Sequence, residues 1–198
     1  MNDKTWRSRS APLTEEQLRA VTIGEVAPLN GTIPLEPYNL EWPAMYARLE
    51  KQIRDVLGAK VLLLEHVGST SIPGLSAKPI IDMVLAVDDS TDEISYASPL
   101  VAAGYVLRIR DPEWFEHRLL KSPVIDGNLH VFSQGCEEID RMLAFRDRLR
   151  SSDADRRLYE RTKHELAARR WKYVQNYADE KSDVVRDILT RAAALSRL

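Results

Sequence analysis

A single aspartate, Asp82, stands inside the apolar run of residues 80–87, and this placement constrains the chain more than any other feature. Desolvating a carboxylate among Ile80, Ile81, Met83, Val84 and Leu85 is unfavourable unless a metal, a proton or a hydrogen bond compensates. Upstream, the apolar run of residues 61–64 leads into His66-Val67-Gly68-Ser69-Thr70-Ser71, and a loop with Pro73, Gly74, Lys78 and Pro79 joins the two runs. The order reads as strand, loop, strand.

The loop has the chemistry of a phosphate site. Gly68 lets the backbone turn sharply, and Ser69, Thr70 and Ser71 set hydroxyls beside backbone N–H groups, a combination that suits phosphate oxygens. Lys78 adds a cation, and the two prolines stiffen the segment. Asp82 completes the set as a candidate metal ligand. His66, beside the turn, is open to two readings: facing a ligand, or packed without chemistry.

Length and charge narrow the classes. A chain of 198 residues that is 44% hydrophobic fits one domain with appendages. Its 28 basic and 30 acidic residues nearly cancel, so nucleic acid is not expected as a partner. No apolar run approaches the roughly 20 residues that span a bilayer, and the polar first ten residues are unlike a signal sequence. No membrane association and a cytoplasmic location are expected. Cys136, the only cysteine, permits neither an internal disulfide nor a cysteine-based zinc cluster and reads as a small packed side chain.

Periodicity places the remaining elements. Residues 1–31 read as an N-terminal arm, partly mobile, in which Thr14 and Gln17 form a capping box for a short helix. Residues 32–198 form the domain. Within it, residues 32–35 suggest a strand. Met45, Tyr46, Leu49, Ile53, Val56 and Leu57 recur at helical spacing after Pro43 and stop at Gly58, with Trp42 stapling the helix start to the core. Asp88 and Asp89 read as turn and cap residues. Strands are expected over residues 105–109 and 115–120, and the Asp126-Gly127 turn brings residues 128–132 back as an antiparallel neighbour. Alternation puts His130 on the face opposite Leu129 and Val131; His117 and His164 read as surface residues. Three helices follow, around residues 139–149, 158–167 and 184–192. Arg141, Arg146, Arg148 and Arg150 read mainly as a solvated face paired with nearby acids, with Arg146 and Lys181 within reach of an anion.

The run H-V-G-S-T-S-I-P-G-L-S-A-K-P-I-I-D resembles the signature of the GrpB family, as do P-Y-N-L-E-W-P, N-L-H-V-F, L-A-F-R-D-R-L-R and Y-A-D-E-K elsewhere. The resemblance implies an α/β fold of the nucleotidyltransferase superfamily: a mixed sheet flanked by helices, with a C-terminal helical bundle. It further implies a Gly-Ser turn followed by a strand with two acids one residue apart. Gly68, Ser69 and Asp82 match; the second acid's place is held by Val84. By the same resemblance His130 occupies the region of a third acid, which makes Asp82 and His130 the candidate catalytic pair. Gly68, Ser69, Thr70, Ser71 and Lys78 would hold a nucleotide or other phosphorylated small molecule, and Asp82 a divalent cation, Mg²⁺ or Mn²⁺. The family's known fusion with dephospho-CoA kinase admits a coenzyme A precursor as ligand. Two readings stay open: a metal-dependent nucleotidyl- or phosphoryl-transferase, or a module that binds phosphate without turnover. Substrate, acceptor and oligomeric state are not legible.

Overall fold

The computed structural model describes residues 12–195, so the first eleven residues of the N-terminal arm lie outside the described part. Thr14 caps helix α1 (Glu15–Val21) through the reciprocal bonds of a capping box with Gln17. Helix α2 (Trp42–Leu57) has a proline in its first turn and ends at Gly58, whose φ is +55°. Five strands follow, β1 (Leu63–Val67), β2 (Ile81–Val87), β3 (Val106–Asp111), β4 (His117–Lys121) and β5 (Gly127–Ser133), with helix α3 (Glu93–Ala102) between β2 and β3. They form one mixed sheet in the order β1-β2-β5-β4-β3, in which only β2 and β5 run parallel.

Both faces of this sheet are covered, which explains why residues 80–87 read as a nearly continuous apolar run. On one face Ile81, Met83, Leu85 and Val87 pack with Leu129 and Val131 against Trp42, Leu49 and Ile53 of α2 and Tyr96 and Leu100 of α3. Burying each such side chain contributes about 1.5–3 kcal/mol. On the other face Val84, Ala86 and Phe132 pack under Ile139, Met142 and Leu143 of helix α4 (Glu137–Ser151). Helices α5 (Asp153–Ala167), α6 (Val174–Asp179) and α7 (Ser182–Leu195) complete the C-terminal bundle, whose core joins Leu149, Tyr159 and Ile188 to Ile72 and Leu75 of the loop.

Two strand boundaries differ from the sequence reading. Residues 32–35 form no strand; extended backbone there is held by single bridges, Gly31 to Trp171 and Glu36 to Ala77. Pro34 and Pro37, which lack an N–H, cannot sustain a ladder. Phe115 and Glu116 adopt positive φ, 56° and 50°, so the turn extends to them and β4 begins only at His117.

Candidate functional site

Asp82, Asn128 and His130 project from the same face of β2 and β5. Their register pairs Asp82 with Asn128 and Val84 with His130, while the intervening Met83 and Leu129 point into the opposite core. Asn128 Nδ2 donates to Asp82 Oδ1 at 2.7 Å, and His130 Nε2 stands 3.9 Å from the same oxygen. Burial pushes the Asp82 carboxyl upward, but the His130 ring in its protonated form, the Asn128 bond and the charge of Lys181 outweigh it and hold it below its usual range. The protein's own groups therefore keep this carboxylate ionised. The patch is open to ligand, with the side chains of Asp82 and His130 30% and 20% exposed.

Gly68 follows β1 with φ of +67°. A Cβ there would lie 2.5 Å from Asp82 Oδ2, so the turn needs glycine for its backbone and for the close approach. The three hydroxyls after it divide. Thr70 Oγ1 donates to the Ile80 carbonyl and pairs with His66 Nε2, both at 3.0 Å; Ser71 Oγ donates to the Gly68 carbonyl at 2.7 Å. These two shape the loop. Ser69, half-buried, makes no side-chain hydrogen bond among the described residues, and its hydroxyl is available to a ligand.

The bundle holds the loop from behind. Arg150 donates twice to the Ser71 carbonyl, at 3.0 and 2.8 Å. Glu160 Oε1 accepts from Ser76 N and Oγ at 3.1 and 2.8 Å, and Lys163 Nζ donates to the Ser76 carbonyl. Lysines gather around the loop, Lys78 and Lys181 on its open side and Lys163 buried behind it. Burial, and then the charges of Lys121 and Lys181, lower the pKa of half-buried Lys78. Lys163, 2% exposed, is lowered to about 7 by burial and by Lys181. Lys181 itself lies over the Tyr177 ring, 4.2 Å from its centroid.

Two readings of the sequence are corrected here, and the open reading of His66 is decided. His117 is not a surface residue: it is 3% exposed and its Nε2 meets His130 Nδ1 at 3.0 Å, the rings stacked 5.1 Å apart. Because the turn runs through Glu116, His117 is the first residue of β4 and faces inward, packed on Phe132. Arg146 belongs to no solvated face either; its guanidinium is buried and committed to Glu65, Asp147 and the His66 carbonyl at 2.8, 2.8 and 3.0 Å. His66 packs, since its register partner is Met83 and its ring stacks on Tyr46 at 4.8 Å. His164 is exposed as expected. Asn128, Lys121 and Lys163 were not singled out by the sequence. Asn128 was accessible from the register that the Asp126-Gly127 turn imposes, whereas nothing local marks Lys163 as buried.

The donors around Asp82 do not make a metal cage. Among the described residues no group of three or more His, Cys, Asp or Glu side chains is arranged to hold an ion. Val84, in the place of a second acid, is fully buried. One carboxylate oxygen already accepts from Asn128, and one imidazole is a poor complement for a hard cation.

Comparison with known proteins agrees with this architecture. The family model described as GrpB protein matches residues 32–191. A UPF0157 protein of Halalkalibacterium halodurans is 55% identical over 187 residues, covering 94% of this chain and 96% of that protein. Another from Streptomyces coelicolor is 46% identical over 165 residues, covering 83% and 87%. The crystal structure of conserved protein GrpB from Enterococcus faecalis superposes with a TM-score of 0.72 at 25% identity, over 83% of this chain and 100% of that one. No helix among the described residues is long and apolar enough to cross a membrane.

Proposed function

Since the chain belongs to the GrpB family, we propose that the patch around Asp82 binds the phosphates of a nucleotide or another phosphorylated small molecule and passes a nucleotidyl or phosphoryl group to an acceptor. The observation that carries this reading is the grouping of Asp82 and His130 on one face, 3.9 Å apart, beside the unengaged hydroxyl of Ser69 and a field of lysines. Lys78 and Lys181 bring positive charge near the Asp82 carboxylate, an excess that attracts a polyanion. Phosphoryl transfer depends mainly on positioning and on stabilising charge over the phosphate oxygens, and lysines on a rigid loop and bundle supply both.

In this reading Ser69 and Lys78 hold phosphate, Gly68 keeps the loop close to Asp82, and Thr70 and Ser71 fix the loop's shape. A two-metal centre has no part in it, because Val84 is sealed under α4. Mg²⁺ or Mn²⁺, if used, would be held chiefly by the ligand's own phosphates and by water and would offset charge on the phosphate oxygens. Val84's burial also favours a second reading, a module that binds the phosphorylated ligand without turnover.

Calorimetric titration with ATP and with pyrophosphate tests the shared premise. Lys78→Met and Ser69→Ala should each weaken binding on the order of ten-fold, about 1.4 kcal/mol, while leaving the melting temperature close to that of the parent. Absence of binding at millimolar concentration contradicts both readings. Transfer of label from ATP to an acceptor separates the enzyme from the module.

A further inference from the structure

His117 has no task in the phosphate-binding reading, yet it is the most enclosed polar group beside His130. The 3.0 Å contact between His117 Nε2 and His130 Nδ1 requires that one ring donates and the other accepts. Strand order decides what flanks the pair: β4 lies between β5, which carries His130, and β3. On β3 the register partner of His117 is Asp111, 3% exposed. Directly opposed residues of an antiparallel pair hold their Cβ atoms within about 5 Å, so a buried carboxylate lies on the side of His117 away from His130.

Such a carboxylate favours a proton on the His117 nitrogen not shared with His130. His117 Nε2 then accepts from His130 Nδ1–H, and His130 Nε2 is left bare toward Asp82. Asp82 Oδ1 is also an acceptor, already taking the Asn128 amide. A hydroxyl has a single O–H to donate, and with Asp82 Oδ1, 3.9 Å away, already accepting from Asn128, that proton goes to His130 Nε2. A nucleophile, a base and a third group that orients the base is the arrangement that activates hydroxyls in group transfer.

We infer that His117 is a positioning residue that holds His130 in its Nδ1–H form, so that His130 Nε2 takes the proton of a hydroxyl on the phosphoryl acceptor. The acceptor class is therefore an alcohol, an assignment that rests on the phosphoryl-transfer reading above. In the step, the acceptor O–H bond breaks and its proton passes to Nε2. The oxygen's electron pair forms the bond to a phosphorus of the nucleoside triphosphate, and the bond from that phosphorus to the leaving phosphate breaks with its electrons. The imidazolium so formed faces Asp82.

Nitrogen-15 NMR of the histidine-labelled chain, without ligand at pH 8.5, reads the tautomer directly. The expected result is the Nδ1–H form at His130 in the parent chain, the Nε2–H form in His117→Phe, which keeps the ring's bulk, and return of the Nδ1–H form in His117→Gln, whose side-chain oxygen can accept. An Nε2–H form in the parent overturns the proposal, as does a spectrum unmoved by His117→Phe. Should that variant not fold, the parent and His117→Gln spectra decide alone. Pyrophosphate titration is the separate arm: no binding alongside a confirmed Nδ1–H form overturns the alcohol assignment and the phosphate reading, but not the positioning of His130.

Discussion

Val84 lies two residues beyond Asp82 on the same face of β2, yet its side chain is fully buried and packs in a cluster with Ile139 of α4. The strand period that should offer two carboxylates to one cation instead delivers one carboxylate to the open patch and the next side chain to a sealed core. Val84→Asp is accordingly expected to destabilise the fold by several kcal/mol, since it places an unpaired charge among Val67, Ala86 and Phe132. Urea denaturation measures it. A stable variant with new affinity for Mn²⁺ would contradict the sealed position of this side chain.

Gly68→Ala tests the close approach of the loop to the strand. A methyl group would meet the Asp82 carboxylate at 2.5 Å and sit at φ +67°, at a cost of about 1–3 kcal/mol. Asp82 must move to admit it, so nucleotide affinity should fall with stability. A variant as stable as the parent that binds ATP equally well would contradict the geometry.

Asp82→Asn is expected to cost about 1.5 kcal/mol, the lower end for a hydrogen bond to a charged group, because the side chain is partly exposed. The carboxyl's pKa is depressed on folding, so its contribution is complete above the unfolded value of 3.8 and is lost as pH falls through the folded one. The difference in stability between parent and variant should therefore shrink in acid. A difference constant from pH 7 down to pH 2 contradicts this assignment.

Much of this arrangement was readable from residues alone. Hydrophobic period located α2, the paired strands around the Gly-Ser loop and the C-terminal helices, because each buries a regular stripe. The alternation that set His130 opposite Leu129 and Val131 also placed it beside Asp82. What escaped depended on distant register. His117 reads as an isolated polar residue until the positive φ angles of Phe115 and Glu116 start β4 and turn it inward. The commitments of Arg146 and Arg150 to the His66 and Ser71 carbonyls span some eighty residues, and no local pattern announces them. Thr70 and Ser71 looked as available as Ser69, and only the folded loop separates hydroxyls that build it from the one that faces outward.

Lys163 gives the fold a dependence on alkaline pH. Its pKa falls from 10.5 to about 7 on folding, so between those values the unfolded chain holds a proton that the native one has released. Stability should rise with pH across this window, by on the order of 1 kcal/mol per unit. Lys163→Met should flatten that rise, as chemical denaturation at pH 7, 8 and 9 would record; an unchanged slope would show that the amine stays charged when buried.

The central claim, that Ser69 and Lys78 hold phosphate beside Asp82, is tested most directly by crystals soaked with ATP and Mn²⁺. The account predicts phosphate density within hydrogen-bond distance of Ser69 Oγ and Lys78 Nζ, with the anomalous Mn²⁺ peak coordinated by phosphate oxygens. Phosphate density at another face of the molecule, with Ser69 and Lys78 untouched, would contradict it.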